Sequence, residues 1–269
     1  MGNRRWRAAI VFVAGVSCVA LAAQKISPAE TQPAFDPTSA YRERQVWGWR
    51  VLVSSKLLDQ PELAKAALAE LDRQLYQVER GVPEKALAEL KKVTIWLELK
   101  NRDVACACYH PSGQWLAGHG FNPEKAKGIE IGHARNFVSW ARVQPFMVLH
   151  ELAHAYHHQV LGYDHPAIQA AYRKAVESKS YESVLYYDGK KARHYGLNSD
   201  QEYLAEGTEA FFGTNDFYPF VRPELQQHDP GMYAVLREVW GVSPKAATRA
   251  ADASDGGEEP IARPTDPQR

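Results

Sequence analysis

The stretch His150-Glu151-Leu152-Ala153-His154 decides how the rest of this chain is read. On a helix, residues four apart lie one turn apart on the same face, so these two imidazoles stand side by side and can hold one Zn2+. Glu151, beside the first imidazole, projects toward the water that completes such a metal's shell. The competing reading is an amphipathic core helix with polar residues on its wet face. The flanks favour the metal: Pro145 stands where a first-turn proline is tolerated, and Gly162 where a helix stops. Between them Leu149, Leu152, Ala153, Tyr156 and Val160 form one apolar stripe, so the motif lies in a helix with a buried face.

A catalytic zinc takes three protein ligands and leaves one position for water. Metzincin-type sites carry a third histidine six residues after the second; here that position is Val160, which excludes the class. His157 and His158 read as exposed or outer-lying, because one helix cannot easily wrap three ligands around a tetrahedral ion. A carboxylate from a second helix is the usual alternative, and the stretch 199–212 reads as one. Its Glu202 and Glu206 are four apart and share a face. Glu202 falls in the first turn, where the helix dipole favours a carboxylate. Ser199 and Glu202 also spell a capping box, which would compete for that carboxylate. Glu202 is the expected third ligand and Glu206 the alternative; whichever does not bind the metal orients a ligand histidine or braces the helix.

The segment Tyr195-Gly196-Leu197-Asn198-Ser199-Asp200-Gln201-Glu202-Tyr203-Leu204-Ala205-Glu206 resembles the third-ligand segment of the lethal-factor-like zinc peptidases, relatives of the clostridial Pro-Pro endopeptidases. The run 127–241 as a whole is similar to secreted bacterial metallopeptidase-like proteins, whereas residues 40–126 resemble nothing assignable. The resemblance implies a gluzincin-type hydrolase with zinc on His150, His154 and Glu202. Glu151 would act as general base, and Tyr195, seven residues before Glu202, would lend its hydroxyl to the site. The implied substrate is a peptide or protein. Two alternatives stay open: a zinc amidase acting on cell-wall peptides, and a non-catalytic metal-bound binding protein.

The rest of the chain sets the context. It has 269 residues, with 32 basic and 32 acidic side chains, so no charge excess points to nucleic acid. Arg4, Arg5 and Arg7 precede an apolar run from Ala8 to Ala23 ending in Ala20-Leu21-Ala22, which reads as a cleaved signal peptide and an exported protein. An uncleaved anchor is disfavoured because the run is shorter than the roughly 20 residues a bilayer needs. A lipoprotein at Cys18 is disfavoured by the apolar residues that follow it. The expected organisation is signal peptide 1–23, linker 24–39, one metallopeptidase domain 40–242 and a disordered tail 243–269. The oligomeric state is not readable.

Strands are expected at 46–54, 94–99, 104–109 and 127–132, the last immediately before the motif helix and a candidate edge for an added peptide strand. Helices are expected at 61–78, 83–92, 166–177, 199–212 and 231–240. Asp188-Gly189 marks a hairpin. The loop 215–220 reads either as pocket lining or as core. Cys106 and Cys108 would face the same way on one strand, as two small buried residues. Strands first and helices after give an α+β class: a zincin-like domain whose small mixed sheet packs on the motif helix, with a mainly helical C-terminal half.

Overall fold

A computed structural model describes residues 35–101 and 104–242. The expected signal peptide, the expected tail and most of the expected linker lie outside them. The first elements are a hairpin, β1 (Tyr41–Val46) and β2 (Trp49–Ser54), turned at Trp47-Gly48 with both residues at positive φ (50° and 87°). That pairing of positive φ values matches the twist of the strands it joins. The sequence suggests one strand from Val46. β1 escapes notice because Arg42, Glu43, Arg44 and Gln45 are all exposed, which removes the alternation that marks a strand.

Two short connections lead through α1 (Ser55–Leu58) to α2 (Pro61–Gly81) and α3 (Glu84–Leu90). The long helix α2 buries Ala64, Ala67, Leu71, Leu75 and Val78 along one stripe. β3 (Ile95–Leu97), β4 (Ala107–Tyr109), α4 (Gly113–Gly118) and β5 (Ile129–Ile131) follow. The sheet runs β1-β2-β3-β5-β4. β2, β3 and β5 are parallel, and the outer strands β1 and β4 are antiparallel to their neighbours. β5 therefore pairs on both sides, so the edge expected at 127–132 belongs instead to β4. A helix the sequence did not reveal, α5 (Ala134–Trp140), separates β5 from the motif helix α6 (Met147–Tyr156).

One sheet face, with Val51, Val53, Ile95, Leu97, Ile129 and Ile131, joins the main core with α2 and α6. Each such fully buried branched side chain contributes roughly 1.5–3 kcal/mol. The other face carries Leu52, Trp96 and Glu130. On it Lys125 Nζ binds Glu98 Oε1 at 2.6 Å and Glu130 Oε1 at 2.7 Å, while Glu130 Oε2 meets His110 Nε2 at 2.7 Å. Cys106 and Cys108 do not share a face. Cys106 lies against Met147 Sδ of α6 at 3.4 Å, and Cys108 lies 3.5 Å from His110 Nε2. Cys106 precedes the regular strand, so the two-residue period that would align them does not apply.

Beyond α6 the winding loosens into one π-turn, His157–Leu161, which ends at Gly162 with φ +82°. This accounts for a break in the expected stripe: Leu149, Leu152, Ala153 and Tyr156 are buried, whereas Val160 is 43 % exposed. Helix α7 (Pro166–Ser178), the hairpin β6 (Val184–Leu185) and β7 (Lys191–Ala192), and helices α8 (Asp200–Phe212), α9 (Arg222–His228) and α10 (Pro230–Val239) complete the chain. Gly213, which caps α8, lies face to face with the ring of Phe146, which caps α6; a β-carbon there would stand 2.2 Å from Phe146 Cζ. The result is a mixed α/β molecule, in keeping with the α+β class. Among the described residues no helix is long and apolar enough to cross a membrane.

Candidate metal centre

Helices α6 and α8 bring the expected residues together. His150 and His154 stand one turn apart with ring centroids 4.8 Å from each other. Glu202 Oε2 lies 3.1 Å from His150 Nε2 and 3.4 Å from His154 Nε2. The three side chains are 12, 13 and 22 % exposed, so the cluster is shielded yet open to solvent on one side.

The donor set can be tested against zinc by size. Ligand atoms about 2.0–2.1 Å from a tetrahedral ion lie roughly 3.4 Å from one another. The two separations from Glu202 Oε2 are close to that edge, and all three donor atoms lie within 4.8 Å of one another. Two imidazole nitrogens and one carboxylate oxygen are a donor set zinc accepts, with a corner to spare.

The capping conflict at Glu202 resolves by division of labour. Ser199 Oγ accepts the Glu202 backbone N–H at 3.1 Å, which caps α8, while the Glu202 carboxylate turns away to the histidines. Burial opposes its charge, but the bonds to His150 and His154 win and hold it far below the usual carboxylate range. Burial likewise works against a charged His150, and the bonds to Glu202 and Glu209 outweigh it, raising that imidazole well above its ordinary value.

Glu206 is not at the ligand face. Its Oε1 is 3.8 Å from Nδ1 of His150, and its Oε2 is buried without a hydrogen-bond partner. That oxygen approaches His194 Nε2 at 3.9 Å, beside a small cavity that Glu206 and His194 line with Asn215, Tyr181, Tyr203 and Pro219. Burial first, then the charges of Asp216 and Glu209, push Glu206 well above the normal carboxylate range. The residue that does bond Nδ1 is Glu209, at 2.7 Å. No local pattern singles it out, since Glu202, Glu206 and Glu209 fall on nearly one face of α8.

Glu151 lies within reach of the charges of His150, His154 and Glu202. Burial raises its carboxyl above the usual value, with the charge of Glu202 adding to it; His150, His154 and the backbone N–H of Tyr109 on β4 pull the other way. Tyr195, at the start of a short 3-10 turn Tyr195–Asn198, is 36 % exposed. Burial and the nearby charge of Glu202 push its hydroxyl up to about 12.

His157 departs from the expected exposure, whereas His158 is only partly buried. His157 is fully buried and neither ring nitrogen has a hydrogen-bond partner; burial lowers it to about 4. His158 Nδ1 lies 2.8 Å from the Tyr109 hydroxyl, which ties the end of the motif helix to β4. Neither joins the candidate ligands.

A second grouping, Cys108, His110 and Glu130, has metal-binding residue types, but Lys125 and Asn101 already occupy Glu130 Oε1, and the ammonium supplies the positive charge a metal would bring. No protein-family model, curated protein or solved structure matches this chain, so the reading of the centre rests on its own geometry.

Proposed function

We propose that the chain is an exported zinc-dependent endopeptidase with a zincin-like catalytic domain. The observation that carries this reading is the approach of one oxygen of Glu202 to both Nε2 atoms of the motif histidines, from a different helix, at tetrahedral spacing. His150, His154 and Glu202 would hold the zinc. When bound, zinc would polarise a scissile carbonyl and acidify a water molecule.

The protein's own groups do the rest. Glu151, whose affinity for a proton is raised by burial, takes a proton from the attacking water and passes it to the leaving amine. Tyr195 keeps its proton at neutral pH and can donate to the oxygen that gains negative charge. β4 is the sheet edge nearest α6, and the bonds that β4 makes with β5 leave the N–H and C=O of Ala107 and the C=O of Tyr109 on the other side, where an extended substrate can pair, while the N–H of Tyr109 meets Glu151.

The test is digestion of a proteome-derived peptide library by the purified protein. The expected outcome is one zinc per chain by elemental analysis, cleavage that a chelator stops, and loss of cleavage in a folded Glu151→Ala variant. Undiminished cleavage by Glu151→Ala would sink the mechanism; a chain that takes up no zinc would sink the function.

A further inference from the structure

The ring of His150 is held at both nitrogens. Nε2 faces Glu202, and Nδ1 faces Glu209 at 2.7 Å. Seven residues on an α-helix fall only ~20° short of two full turns, so Glu202 and Glu209 lie along one line of α8, about 10.5 Å apart at the backbone. Side chains on a helix lean toward its N-terminus, which tips Glu209 back toward the centre. The imidazole bridges the gap between the two carboxylates, because its nitrogens point in divergent directions. Glu206 sits between them in sequence, but its free oxygen points away, toward His194 and the cavity. Glu209 is 4 % exposed, so water competes poorly for its bond to His150.

Building on the zinc reading, we propose that Glu209, and not Glu206, is the positioning residue of the centre. It accepts the Nδ1 proton of His150, fixes the tautomer whose Nε2 lone pair faces His154 and Glu202, and locks the ring plane. A ligand imidazole whose other nitrogen is bonded to a carboxylate is both oriented and a stronger donor. Glu209 touches neither metal nor substrate; it acts through His150.

The experiment is a competition titration of the full chain with Zn2+ against a chromophoric chelator, with the d–d absorption of Co2+ as a second readout. Wild type is compared with Glu209→Ala, Glu209→Gln and Glu206→Gln, and the melting temperature of each metal-free protein is recorded. Glu209→Ala should weaken zinc binding by about 10- to 100-fold at unchanged stoichiometry, and should change the Co2+ spectrum. Glu209→Gln keeps an oxygen that accepts from Nδ1, so it should recover part of the loss; being isosteric, it also carries the test should the alanine variant not fold. Glu206→Gln should bind within about threefold of wild type. Wild-type affinity and spectrum in both Glu209 variants, or a loss confined to Glu206→Gln, overturns the assignment while leaving the zinc centre standing. A wild-type chain that binds neither ion overturns the centre itself, and this role with it.

Discussion

Glu202 contributes its backbone N–H to one partner and its carboxylate to two others. This separation explains why its place in the centre could be read in advance: first-turn position, distance from the motif and acid type all agreed. Glu209 could not be read in the same way. Three acids at i, i+4 and i+7 share a face, and which of them meets an imidazole depends on how far α8 is rotated against α6, a packing variable no local pattern reports. Tyr195 offers a test that separates chemistry from architecture. Tyr195→Phe removes one hydroxyl from a residue that is 36 % exposed, so folding and zinc content should be unchanged. Turnover of the best library peptide should fall by roughly 100- to 1000-fold if the hydroxyl stabilises the oxyanion. Equal turnover in the two proteins would remove Tyr195 from the mechanism.

Among the elements, β5 carries Glu130, the centre of a buried ion cluster with Lys125 and His110. Burial opposes the charge of Glu130, but His110 and Lys125 overcome it and hold the carboxyl at about 2. A carboxylate depressed in the folded state adds stability above its unfolded pKa, near 4.5, and surrenders it as pH falls through the folded value. The contribution of Glu130 should therefore drain away between about pH 4.5 and 2. Chemical denaturation of wild type and Glu130→Gln across that range should show the gap between them narrowing toward the acid end; a constant gap would refute the coupling. At neutral pH the substitution should cost roughly 3–5 kcal/mol, as expected when one partner of a buried ion pair is removed.

The same strand region holds Cys106 and Cys108, the two free thiols among the described residues. Burial, then the charge of Glu151, raises Cys106 to about 12 and Cys108 well above its ordinary value. Neither should react with a thiol reagent at pH 8 in the native protein, and both should react in denaturant. Rapid native labelling of either would contradict the packing. The sequence located β4 and β5, which fall inside the expected spans 104–109 and 127–132, but missed β1, whose Arg42, Glu43, Arg44 and Gln45 are all exposed. β1 is charged on both faces, and β4 spans only three residues. The long helices α2 and α8, by contrast, announced themselves through periodicity and caps.

At the scale of the molecule, the candidate centre is drawn from two helices about fifty residues apart in sequence, α6 and α8, which pack against each other. Gly213 and the Phe146 ring meet where α8 ends and α6 begins. A methyl group at 213 would overlap the ring, so Gly213→Ala should destabilise the protein by about 1–3 kcal/mol and weaken zinc binding without touching a ligand. Wild-type melting and affinity would show that the ring can swing aside. Past α6, the widened turn at 157–161 holds a length of chain that ordinary α-helical winding would not fit between Tyr156 and Gly162. That slack is what lets His158 reach Tyr109 while Val160 swings out to solvent. A shortening of this stretch by a single residue would tighten the coil and cut the tie between strand and helix, so the spacing here should tolerate exchanges of residue type far better than changes of length.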